Sequence, residues 1–313
     1  MNKNDIIKKL RELSKNVNVS LPNGIDFNLN DGVLTLNVSG KGVVKNMQTD
    51  GSAFEGWAIC IKSWMKEIEN VVIGWEPPVY SKDSKEKGRQ EKHYNRFLLR
   101  AAFFEEDYPW VSIDRENKGE VEKVKQLVPL LVVNYPKTKA TQTAKNGEAK
   151  LERKLVERFG NLRHQLPVGL FKGDVSIANT FTPRGASQID IWELDNGDLK
   201  IYELKDCENK HVGIISELMY YANVMRLLVK GIIKYPELLE NEKTDYRGVK
   251  VLYKAVVEKM ISKIVAKFWL IDFHPLINGC LDDVLKLMNQ SKASVNVEYG
   301  FRDLREDLLE NKG

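Results

Sequence analysis

The chain has 313 residues, of which 42% are hydrophobic and 9% aromatic, and a formal net charge of +4. This is enough apolar material for a packed core in one large or two ordinary domains, and it excludes a disordered chain. The charge is too small to mark a polyanion partner by itself, and no apolar run approaches the ~18 residues of a membrane span.

Cys60, Cys207 and Cys280 are widely spaced with no CxxC pairing. A sparse, odd set argues against a disulfide framework and a zinc site, and for a reducing, cytoplasmic setting. The opening MNKNDIIKKLRELSKN is an amphipathic charged helix, with Ile6, Ile7, Leu10 and Leu13 on one stripe; no long apolar run follows, so it is not a signal peptide. Val17–Leu21 and Asp26–Val38 read as strands with turns at Pro22-Asn23-Gly24 and Asn30-Asp31-Gly32, continuing through Gly40-Lys41-Gly42 to Gln48. Phe54, Trp57, Ala58, Ile61, Trp64, Met65 and Ile68 then recur at helical spacing, a stripe that reads as core packing.

From Lys82 to Arg100 seven basic residues interleave with His93 and Tyr94. Such a stretch can track phosphates; Asp83, Glu86 and Glu91 dilute it, and a solvated loop running into a surface helix is the plainer reading. Tyr94–Phe104 is helical, Trp110–Ile113 a short strand, and Val121–Val133 a helix broken at Pro129. Residues 134–147 lack periodicity and form the candidate linker, placing a boundary near 140. The expected division is an α+β domain over 1–140, with a recognition or dimerisation role, and a second domain over 141–313.

That second domain opens with a helix whose stripe is Leu151, Leu155, Phe159 and Leu162, with Glu148 and Glu152 on its flank a turn apart. One or two strands follow within 166–182, and Arg184 lies in the next loop. The stretch QIDIWELDNGDLKIYELK (188–205) then carries the most specific local signal. Asn-Gly between alternating runs marks a type I′ hairpin. With Asn196 and Gly197 at its turn, Asp195 meets Asp198 and, counting outward, Asp190 meets Glu203. Alternation puts Gln188, Asp190, Glu203 and Lys205 on one face near the open end. Like charges so placed repel, and a divalent cation removes the repulsion. The competing reading is a solvent-facing salt bridge worth ~0–1 kcal/mol. Against it, Ile189, Ile191, Tyr202 and Leu204 line one face while Trp192, Leu194, Leu199 and Ile201 make the acidic face apolar as well.

Asp190 with Glu203-Leu204-Lys205 resembles the motif of the PD-(D/E)XK nuclease superfamily, the restriction-endonuclease-like fold, with Ile189 at the position of the motif's proline. The resemblance covers roughly 148–275 and implies an αβββαβ core. It implies a metal-dependent nuclease acting on nucleic acid, DNA favoured, with Mg²⁺ or Mn²⁺ held by Asp190, Glu203 and the Leu204 carbonyl. Lys205 would assist catalysis, and the first core helix would supply a glutamate, for which Glu152 matches best and Glu148 second. A non-catalytic binding module with the same fold is the alternative. Downstream, Val212–Gly231 reads as a helix, with Tyr220, Asn223 and Arg226 nearer its polar side. A helix around 253–264, a buried strand over 267–273 and a charged tail helix from about 301 follow. His93, His164, His211 and His274 form no HxxxH or HExxH pair, and no P-loop or GxSxG elbow is present.

Overall fold

A computed structural model describes residues 1–136, 147–183, 187–205, 211–241 and 243–309, and these form a mixed α/β protein. Two compact units divide it: Met1–Leu127 with Lys210–Glu217 and Phe273–Ser294, and Val128–Asn209 with Leu218–Asp272 and Val295–Gly313. The expected boundary near 140 lies in 137–146, outside the described residues. The division is also discontinuous, since two later segments belong to the first unit.

In the first unit, α1 (Lys3–Ser14) starts at Asn2, whose side chain accepts from the N–H groups of Asn4 and Asp5 while Asp5 accepts from the Asn2 N–H. This reciprocal cap satisfies donors that a helix start leaves open. Strands β1 (Ile25–Asn30) and β2 (Val33–Val38) form the expected hairpin, with Asp31 and Gly32 both at positive φ. Then come α2 (Phe54–Trp64), β3 (Asn70–Trp75), α3 (Ser84–Asp107), β4 (Val111–Ile113) and α4 (Lys118–Leu127). The sheet order is β1-β2-β3-β4, antiparallel in the first pair and parallel in the others.

Val17–Leu21 is not a strand. Side chains of α1 take the backbone there: Arg11 Nε donates to the Val19 carbonyl at 2.9 Å and Lys3 Nζ to that of Pro22 at 2.5 Å. The basic stretch from 82 to 100 is no continuous phosphate track either. Arg96 and Arg100 are buried within α3, and Arg89 pairs with Glu86 on its exposed side. Arg100 makes a two-pronged pair with Glu55, through Nε to Oε1 at 2.8 Å and through Nη2 to Oε2. Ser216 Oγ donates to the same Oε2 at 2.8 Å.

The second unit holds β5 (Leu131–Val133), α5 (Gly147–Arg158), β6 (Arg163–Pro167), β7 (Leu170–Lys172), β8 (Gln188–Asp195), β9 (Asp198–Lys205), α7 (Val249–Val257), β10 (Lys263–Leu270) and β11 (Val297–Asp303), with most of α6 (Gly213–Val229). The helix expected over 121–133 ends at Leu127; Pro129 sits in a 3₁₀ turn, and the β-branched run after it pairs with β7. The main sheet runs β11-β10-β9-β8-β6, with β6, β8 and β9 antiparallel in succession and β9, β10 and β11 parallel. Strand β9 is therefore interior. The tail helix starts at Leu304, later than expected, because the residues before it form β11 beside β10. Tyr220 and Asn223 are buried, which corrects their placement on a polar face.

Candidate metal centre

The hairpin turn has the expected geometry, with Asn196 at φ 50 and Gly197 at φ 87. Pairing runs from Asp195↔Asp198 to Ile191↔Tyr202, so the register derived from the two-residue turn holds. One step beyond, Asp190 exchanges the ladder for a side-chain bond: its Oδ2 accepts from the Leu204 N–H at 2.9 Å. That bond fixes the carboxylate against β9 at the point where the two strands part.

Both faces of β9 are covered. Tyr202 and Leu204 pack with Ile191, Leu155, Leu162, Trp269 and Leu304, against which Leu151, Val156 and Phe159 of α5 and its end also lie. On the other face Ile201 and Leu199 are fully buried. Glu203 and Lys205 share that second face and are themselves buried, 1% and 5% exposed, so a solvent-facing salt bridge does not describe them. On the β10 edge the backbone pairing continues through both residues, Glu203 with Phe268 and Lys205 with Leu270.

Pairing offsets part of the cost of burying these charges. Lys205 Nζ donates to Glu203 Oε1 and, at 3.1 Å, to Glu148 Oε1. Glu148, Asp190 and Glu203 each offer a carboxylate oxygen, and the three lie within 4.8 Å of one another. Three formal negative charges gather beside the Lys205 ammonium, a concentration of charge that a divalent cation would reduce. The donor set is all carboxylate oxygen, which suits a hard cation such as Mg²⁺ or Mn²⁺.

The structure brings Glu148, not Glu152, into this cluster. Glu152 is a helical turn further along α5 and is buried elsewhere, with Oε1 at 2.8 Å from His164 Nδ1 and Oε2 accepting from Gln165 Nε2 at 3.4 Å. Packing of Leu151 and Leu155 on the Tyr202/Leu204 face sets this phase, and it leaves only the first turn of α5 at the Lys205 end of the strand. Leu204 contributes its N–H to Asp190, and its side chain lies in the core. Arg184 and Cys207 lie outside the described residues. Of the histidines, His93 accepts from Arg96 within α3, His274 caps the following turn, and His211 lies 3.4 Å from Asp50, all in the first unit. Tyr202, beside the site strand's core face, donates to Glu193 Oε1 at 2.8 Å. Burial, reinforced by that carboxylate, raises its phenol above the usual range, so it stays a neutral donor.

No family model, no curated protein and no solved structure matches this chain. Among the described residues no helix is long and apolar enough to cross a membrane.

Proposed function

We propose that the second unit is a metal-dependent phosphodiesterase that hydrolyses nucleic acid, with DNA the favoured substrate. The observation that carries this reading is the trio Glu148, Asp190 and Glu203 gathered around the buried ammonium of Lys205. Setting aside β7, which pairs with β5, and α7, the element order α5, β6, β8, β9, α6, β10, with its antiparallel meander and parallel fourth strand, supports a restriction-endonuclease-like core.

In this reading the three carboxylates hold Mg²⁺ or Mn²⁺. When bound, the ion supplies a more acidic water and a polarised phosphoryl oxygen. The Leu204 N–H holds Asp190 in place for that task. Lys205, held between its two glutamates, stabilises the negative charge that builds on the phosphate as water attacks. Water oxygen bonds to phosphorus and gives up one proton to solvent, the bond to the leaving sugar oxygen breaks, and that oxygen takes up one proton from solvent, giving a phosphomonoester and a free hydroxyl.

A second reading, a binding module that keeps the fold without cutting, is favoured by one observation. Lys205 already bridges Glu148 and Glu203, as an internal counter-ion would. Incubating the full chain with single- and double-stranded DNA and RNA, in Mn²⁺ or Mg²⁺ and in EDTA, separates the two. Cleavage that needs the metal and disappears in Asp190→Asn and Lys205→Met supports the enzyme. Intact substrates that are nonetheless retained by wild type and both variants establish the binding module.

A further inference from the structure

Next to the acid cluster the sheet is irregular. Strands β6 and β8 pair at His164↔Ile191 and at Leu166↔Ile189, and the register passes over Gln165 and Asp190 between them. Gln165 has φ 47, in the left-handed region, which a side chain of this size occupies only when its surroundings hold it there. What holds it is Arg247, from the turn before α7. Arg247 Nη1 donates to the Gln165 carbonyl at 3.0 Å and to Gln188 Oε1 at 2.8 Å. Gln188 precedes Asp190 by two residues on β8 and so shares its face. The turn itself is built for this reach, with Arg247 at φ 60 and Gly248 at φ 75, and a Cβ on Gly248 would collide with the Arg163 side chain.

We propose that Arg247 is a positioning residue for the metal centre. Its guanidinium joins β6 at Gln165, opposite Asp190 where the backbone ladder is interrupted, to Gln188 two residues before it on β8, and so fixes the aspartate that the Leu204 N–H engages. The proposal rests on reading Glu148, Asp190 and Glu203 as a divalent-cation site. Three left-handed residues, Gln165, Arg247 and Gly248, converge at one hydrogen-bonded bracket. Strain concentrated there is explained by the placement of a ligand that a regular ladder would not hold at the open end. The bracket also gives Glu152 a place, since Gln165 Nε2 donates to it and thereby meets α5 one turn beyond Glu148. Groups that orient a metal ligand from behind typically change metal affinity by ~10–100-fold when removed.

The test is a calorimetric Mn²⁺ titration of the full chain for wild type, Arg247→Met and Gln188→Leu, alongside the unfolding midpoint of each in EDTA. Arg247→Met is expected to weaken Mn²⁺ binding by ~10–100-fold. Gln188→Leu, which keeps the bond to the Gln165 carbonyl, is expected to show a smaller loss in the same direction, and it carries the test if Arg247→Met does not fold. A folded variant that binds Mn²⁺ as tightly as wild type, even with a lowered midpoint in EDTA, overturns the positioning role and leaves the metal centre standing. Wild type that binds no Mn²⁺ removes the metal centre, and the proposal falls with it.

Discussion

Replacing Lys205 by Met removes the ammonium while keeping a similar unbranched stem. Glu203 is 1% exposed and Lys205 5%, so the change leaves a buried carboxylate facing Glu148 and Asp190 without the ammonium that bridges Glu203 and Glu148. Removing one partner of a buried pair costs about 3–5 kcal/mol. At about 2–4 °C per kcal/mol for a domain of this size, the midpoint in EDTA should fall by roughly 6–20 °C. A divalent cation then has a stronger field to enter, because one positive charge beside the three carboxylates is gone. Mn²⁺ at about a hundred times its dissociation constant should return ~2.7 kcal/mol, and the metal-induced rise should be larger in the variant than in wild type. Differential scanning calorimetry in EDTA and in Mn²⁺ reads both effects. The reasoning fails if Lys205→Met matches wild type in EDTA, because the ammonium would then compensate no buried charge. It fails equally if Mn²⁺ moves neither midpoint.

Other outcomes are expected together. Glu148→Gln should weaken Mn²⁺ binding by at least about tenfold and Glu152→Gln by clearly less, since only the former reaches the cluster; equal effects in a calorimetric titration would contradict the placement. Burial and the neighbouring Arg96 push the His93 imidazole down to about 3. The unfolded chain therefore takes up a proton near pH ~6.5 that the folded chain refuses, and this contribution to stability, full above ~6.5, is lost as pH falls towards 3 at up to ~1.4 kcal/mol per pH unit. His93→Gln should flatten that part of the urea-derived stability profile between pH 6.5 and 4, and an unchanged slope would refute it. Arg100→Met should cost the first unit about 3–5 kcal/mol in urea unfolding by leaving Glu55 buried and uncompensated. A loss under ~1 kcal/mol would show the pair to be idle.

The hairpin was legible because Asn196-Gly197 admits one turn geometry, and from that turn the shared face of Asp190, Glu203 and Lys205 follows by counting. The choice between Glu148 and Glu152 was not. Both lie on one flank of α5, and only the packing of Leu151 and Leu155 on Tyr202 and Leu204 decides which turn reaches the strand end. Arg247 carries no local signal at all; its role depends on a loop that meets β6 and β8 only in the folded sheet. Sequence places the buried arginines of α3 on a surface helix, because helical spacing reports which residues share a face, not whether a carboxylate such as Glu55 waits opposite. Strand β11 escaped notice for a related reason. A parallel edge strand draws its pairing from a distant segment, here β10, and short alternation before a helix is weak evidence of it.

The most direct measurement is the anomalous diffraction of a crystal grown or soaked in Mn²⁺. The account predicts one peak lying at roughly 2.1 Å from carboxylate oxygens of Glu148, Asp190 and Glu203. Saturating Mn²⁺ with no peak there, and the Lys205 ammonium alone bridging Glu148 and Glu203, would contradict it.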